Sequence, residues 1–239
     1  MRMGSITTNI VSDGLVFNMD AANRASTIPS SATTKAFNTV TNKSGSFSTS
    51  GIYDSSLVTP SFAADADGYI TTEEQFNFGN DDLSIGIWVY SDAGTGPSNN
   101  YNLLMSQGSP GVNSGKLQWY FYQRQMTVYI LSVGNIGYPN HLSTAQNFGQ
   151  WYYNVLIRSS NTWSVYYNGV IDHVFGADGN DSDSNISSNV MNFGSSMNQD
   201  IQYNGNMGPI HIYNRALSVN EVLHNYNALK SRFGLWVEE

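Results

Sequence analysis

The stretch "YNGNMGPIHIYNRALSVNEVLHNYN", residues 203–227, changes rhythm part-way along. Up to Tyr213 it alternates, with Ile210 and Ile212 on one face, which is the two-residue period of a half-buried strand. From Ser218 the period becomes helical. Ser218 and Glu221 form the S-x-x-E pattern of a capping box, and Leu217 and Val222 stand where a hydrophobic staple closes the first turn. Val219, Val222, Leu223, Tyr226 and Leu229 recur at helical spacing, and Gly234 after "KSRF" suits a C-terminal stop. A helix with one apolar face must lie against something, so the segment predicts a last strand followed by a helix packed on a β core.

Working outward, "GLVFNMD" places Leu15, Phe17 and Met19 on one face, and "LSIGIWVY" does the same for Leu83, Ile85, Ile87 and Val89. Three other runs are apolar on both faces: "KLQWYFYQ" (116–123), "QMTVYILSV" (125–133) and "WYYNVLIR" (151–158). Strands of that kind are covered on both sides, which calls for stacked layers. In "WYYNVLIRSSNTWSVYYNGVIDHVF" the turns "SSNT" and Asn168-Gly169 mark consecutive antiparallel strands. The turn-rich spacers at 92–100, 107–116, 134–140 and 176–185 interrupt the strands without a shift in composition, so they read as loops. The expected fold is all-β: a two-sheet antiparallel sandwich with one short C-terminal α-helix, as a single domain over 14–234 with an arm at 1–13 and a tail at 235–239.

The 239 residues are 40% hydrophobic and 13% aromatic, enough for a sizeable core. Only 12% are charged, with a formal net charge of -8 and no Lys/Arg cluster, which argues against a nucleic-acid partner. With no Cys, disulfides and thiol chemistry are excluded. The opening "MRMGSITTNIVSDGLVF" lacks the apolar run of a signal peptide, and no stretch of about 18 apolar residues occurs. The expectation is a chain made in a cytoplasm, with no membrane partner.

"LSIGIWVYS", "WYYNVLIRSSNTWSVYYNGV" and the terminal "MGPIHIYNRALSVNE" together resemble the laminin-G-like branch of the concanavalin A-like lectin/glucanase jelly rolls. Met207, Gly208, Ile210, Ile212, Tyr213, Asn214, Arg215, Ala216, Leu217, Ser218 and Glu221 match that branch's terminal motif position by position. The resemblance implies a jelly-roll sandwich and carbohydrate binding as its commonest activity. The edges "DGLVFNMDAAN" and "NYNALKSRFGL" also resemble such domains in structural proteins of tailed bacteriophages. That implies a virion location after assembly in the host cytoplasm, other capsid or tail proteins as partners, and surface polysaccharide as a ligand. Homo-oligomerisation is compatible with the exposed edges of a sandwich.

A retaining glucanase on this fold needs two carboxylates about 5 to 5.5 Å apart. The five Glu are Glu73, Glu74, Glu221, Glu238 and Glu239, and none stands in such a pattern. No nucleophile elbow, zinc-peptidase or nucleotide-binding motif occurs, and His141, His173, His211 and His224 have no catalytic company. The expectation is therefore a non-enzyme. The loop residues Asp178, Asn180, Asp181 and Asp183 suit either a Ca2+ site or a solvated turn, as do Asp65 and Asp67. Sugars stack on exposed aromatics flanked by amides, which selects Tyr101 with Asn102 and Tyr138 with Asn140. Arg215 is expected to bond backbone carbonyls near the helix start and Asp20 to close a turn. The leading expectation is a non-enzymatic phage virion surface protein, with a free carbohydrate-binding module or a divergent glycosidase as alternatives.

Overall fold

Alternation at two-residue period recurs along the chain, and the computed structural model turns it into sixteen strands among the described residues. It describes residues 10–30, 32–49, 52–64, 68–92, 101–108, 117–130, 134–136, 144–175, 186, 189–199 and 201–235. In chain order the strands are β1 (Leu15–Met19), β2 (Lys35–Phe37), β3 (Ser44–Phe47), β4 (Tyr53–Asp54), β5 (Ser61–Ala63), β6 (Ile70–Thr72), β7 (Leu83–Ser91) and β8 (Tyr101–Gln107). There follow β9 (Leu117–Tyr122), β10 (Gln125–Ile130), β11 (Gly134–Ile136), β12 (Trp151–Ser159), β13 (Thr162–Tyr167), β14 (Val170–Phe175), β15 (Met191–Phe193) and β16 (Gly205–Tyr213). The helix α1 (Val219–Leu229) and a 3-10 turn over Lys230–Phe233 close the chain.

Two antiparallel eight-stranded sheets result. The first has the order β14-β13-β12-β7-β16-β5-β4, with β1 also paired to β16; the second runs β11-β10-β9-β8-β15-β6-β3-β2. Between them lies the main core, where Ile85, Ile87 and Val89 meet Met105, Trp119, Phe121 and Phe193, all buried. Leu83, Ile85, Ile87 and Val89 share that face as the sequence predicts. In β1 the expectation needs correcting: a bulge between Leu15 and Phe17 sends Phe17 and Met19 into this core and Leu15 to the opposite side.

The helix forms a third layer. It does not reach the core between the sheets; it packs on the outer face of the first sheet, where Trp88, Tyr153, Val155 and Tyr213 meet Leu217, Val222, Leu229 and Phe233. Trp88 stacks on Phe233 with centroids 4.0 Å apart. The capping box is present as predicted: the Ser218 amide donates to Glu221 Oε2 at 2.8 Å, and Ser218 Oγ accepts from the Glu221 amide. The buried stripe differs from the predicted one. Val222, Asn225 and Leu229 are covered, whereas Val219 and Leu223 are exposed, because the helix axis is turned so that Asn225 can accept from the Val11 amide (2.8 Å) and donate to Tyr213 Oη (3.0 Å).

Among the described residues three hairpins use two-residue turns. Ser160–Asn161 joins β12 to β13 and Asn168–Gly169 joins β13 to β14, each with both φ angles positive, in keeping with "SSNT" and "NG". The third joins β9 to β10 through Gln123 and Arg124.

Candidate functional site

Because side chains alternate across a pleat, the registers of the second sheet define which residues share its outer face. Gln125, Tyr122 and Tyr101 form one cross-strand row, and Thr127, Tyr120 and Leu103 the next. A third row of polar groups crosses the whole sheet from Tyr129 through Gln118, Ser106, Asn192, Thr71 and Ser46 to Lys35. The opposite pleat of the same strands carries Leu117, Trp119, Phe121, Met126 and Val128 into the core.

The middle of this face is closed. Residues 194–199 fold over it: Ser106 Oγ donates to the Ser195 carbonyl (2.9 Å), Asn192 Nδ2 to the Ser196 carbonyl (3.2 Å), and Thr71 Oγ1 to Asn192 Oδ1 (2.8 Å). Ser106, Asn192 and Gln118 are buried in consequence. At the end of the sheet nearest the β9–β10 turn the face opens. There Tyr101, Tyr122 and Gln125 are half-buried, and Tyr101 lies 4.8 Å from Tyr122 and 5.5 Å from Tyr120, centroid to centroid. The inclined rings, at 49° and 55°, make a tilted aromatic ledge with an amide at its edge.

Of the residues singled out from sequence, Tyr101 is part of this ledge. Asn102 is its neighbour in the chain but sits on the opposite pleat, paired with Phe121, and its Oδ1 is buried without a hydrogen-bond partner among the described residues. Tyr101 and Asn102 therefore do not face a common ligand. Tyr138 and Asn140, the Ca2+ candidates Asp178, Asn180, Asp181 and Asp183, and also Asp65, Asp67 and His141, lie outside the described residues. Among the described residues no group of three or more His, Asp or Glu is placed to hold a metal. Tyr120, Tyr122 and Gln125 were the residues that sequence reading missed. Their signal is the alternation Gln118, Tyr120, Tyr122, which is legible once Trp119 and Phe121 are assigned inward.

The remaining polar clusters build the scaffold. Glu73 accepts from the Ser44 amide (3.1 Å) and hydroxyl (2.9 Å), bonds that hold its carboxyl below the usual range. Glu74 accepts from Asn38 Nδ2 (2.9 Å) and Thr41 Oγ1 (3.1 Å). Arg215 donates to the Asp13 and Ala216 carbonyls, as anticipated, and also pairs with Glu221 at 2.6 Å. Asp20 caps its turn through the Ala22 amide (3.0 Å) and forms a buried pair with Arg232 (2.9 Å). His211 lies beneath the helix layer, fully buried, and desolvation pushes its imidazole down to about 4.

The model of the Concanavalin A-like lectin/glucanases superfamily matches residues 64–223. The chain belongs to this superfamily. The matched span runs from the end of β5 through the opened face and into α1. Trypanosoma rangeli sialidase in complex with the inhibitor DANA superposes on this lectin-like chain with a TM-score of 0.61 at 14% identity, over 91% of this chain and 33% of that one. The botulinum neurotoxin type G receptor binding domain does so with a TM-score of 0.59 at 12% identity, over 90% and 51%. The lectin-like chain thus spans about one third of the sialidase and half of the toxin domain, and identities this low speak for a shared fold alone. No curated protein matches it in sequence. Among the described residues no helix is long and apolar enough to cross a membrane.

Proposed function

We propose that the chain is a non-catalytic carbohydrate-recognition domain carried on the surface of a tailed-phage virion, as a capsid decoration or a tail or fibre component. The observation that carries the sugar reading is the half-buried pair Tyr101 and Tyr122, backed by the buried ring of Tyr120, with Gln125 at its edge. A pyranose presents a C–H face that lies on an aromatic ring, while an amide beside it donates to and accepts from the hydroxyls. Membership of a lectin superfamily and the likeness to a receptor binding domain support the same reading.

The non-catalytic reading is supported by what the carboxylates do. Glu73, Glu74 and Glu221 are committed to turns and the helix cap, and the eight strands of the second sheet contain neither Asp nor Glu. The virion reading rests on the likeness of "DGLVFNMDAAN" and "NYNALKSRFGL" to tailed-phage structural proteins.

A glycan array of bacterial surface polysaccharides tests the ledge. The wild-type chain is expected to bind a subset of glycans, and Tyr101→Ala or Tyr122→Ala to weaken each bound glycan about ten-fold, ~1.4 kcal/mol. A flat array, or binding untouched by both substitutions, sinks the ledge as the site. Electron microscopy of particles with and without the chain tests location; its absence from purified virions would leave a free carbohydrate-binding module.

A further inference from the structure

The ledge ends at a turn whose residues are ill-suited to its geometry. Gln123 and Arg124 hold φ angles of 49° and 69°, a region that Asn and Gly tolerate and long side chains avoid. The other two turns of this kind use Ser160–Asn161 and Asn168–Gly169, so the fold builds the same hairpin elsewhere with at least one favoured residue. Residues kept against local preference point to a use for the side chain.

Arg124 also differs from the arginines nearer the core. Arg158 donates to the Asp81 and Gly79 carbonyls, Arg215 pairs with Glu221 and Asp13, and Arg232 pairs with Asp20. Arg124 is exposed, has no carboxylate within ion-pair distance among the described residues, and lies over the Phe148 ring at 5.8 Å. That ring, 40% exposed, steadies the guanidinium without neutralising it. In a chain of net charge -8, the strands β8, β9 and β10 with their turn carry this single charge.

We propose that the ledge takes an acidic saccharide, with Arg124 holding the sugar carboxylate while a ring of the same glycan lies on Tyr101 and Tyr122. The inference rests on the carbohydrate reading above and adds the class of sugar. Arg124 follows Tyr122 by two residues, a chain span of about 7 Å at most, and its guanidinium lies over Phe148 beside the turn, so the glycan would run from the ledge past the turn to reach it. A planar guanidinium fork matches a carboxylate through two parallel hydrogen bonds, which an ammonium does not reproduce.

Calorimetric titration of the full chain would use tetragalacturonate, a hyaluronan tetrasaccharide and 3′-sialyllactose, each beside its carboxyl-reduced form. At least one acid form is expected to bind ten-fold or more tightly than its reduced partner. Arg124→Gln should remove that preference, the acid form's affinity falling to that of the reduced form, and Arg124→Lys should restore only part of it. Arg124→Gly relieves the positive φ, so it should lose the preference with a melting temperature equal to or above wild type, which separates recognition from folding. Equal affinity for acid and reduced forms, no binding of any acid form, or a preference surviving in Arg124→Gly overturns the proposal. The array separates the two readings: neutral glycans bound there leave the carbohydrate reading standing, and a flat array removes both.

Discussion

At the scale of single residues, His211 and Glu221 set the response to acid. His211 faces Asp20, Arg232 and Tyr153 beneath the helix layer, and desolvation lowers it from 6.5 to about 4. Above pH 6.5 it is neutral folded or unfolded and contributes nothing. As pH falls from 6.5 to 4 the unfolded chain takes up the proton and the folded one does not, so stability declines, by up to roughly 3 kcal/mol over that window. Glu221, held at about 2 chiefly by its hydrogen bonds from Arg215, adds stability that is present above 4.5 and lost as pH falls toward 2. Urea unfolding measured against pH should therefore show two slopes: His211→Asn should flatten the upper one and Glu221→Gln the lower. A wild-type profile that is level between pH 6.5 and 4 would refute the buried neutral His211. The His211 response is not legible from sequence, since His211 meets Arg232 and Asp20 only through the fold, the latter two 212 residues apart.

At the scale of elements, the S-x-x-E cap was readable because its four residues are local, and it carries a local cost. Ser218→Ala should lower stability by about 1 kcal/mol in chemical denaturation, with near-native circular dichroism. The helix's buried stripe was less readable. An apolar period predicts Val219 and Leu223 inward, but Asn225 claims the buried position through bonds to Val11 and Tyr213, which depend on partners far away in the chain. The start of β16 is a sharper case. Gly205 holds φ 145°, and a Cβ there would stand 2.0 Å from the Tyr90 carbonyl oxygen. Gly205→Ala is expected to cost roughly 1–3 kcal/mol, read as a lower urea midpoint at unchanged slope.

At the scale of the whole molecule, sequence patterning predicted the two sheets and a helix packed on them, and the fold adds which sheet face the helix covers. Apolar residues on both faces of "WYYNVLIR" were the available signal: β12 lies between the second sheet and the helix layer, with Leu156 on one side and Tyr153, Val155 and Ile157 on the other. The candidate site was half legible. Tyr101 was visible as an aromatic among amides, whereas Tyr122, Gln125 and Arg124 join it only through strand register. Deleting the chain after Leu217 should strip the cover from Trp88, Tyr153 and Val155, and dye binding to exposed apolar surface should rise sharply with loss of cooperative unfolding. Retention of a cooperative transition would show that the third layer is dispensable.

The N-terminal and C-terminal segments meet on that third layer: Ile10 and Val11 pack there with Leu235, Asp13 pairs with Arg215, and Asp20 pairs with Arg232. The tyrosine ledge belongs to the outer face of the other sheet, with the full thickness of the sandwich between. A linker, label or solid support joined directly at Ile10 or at Leu235 would leave from the helix side in either case. Immobilised at either point, the molecule would thus present the tyrosine ledge to the solution, a polarity that suits an array-bound probe.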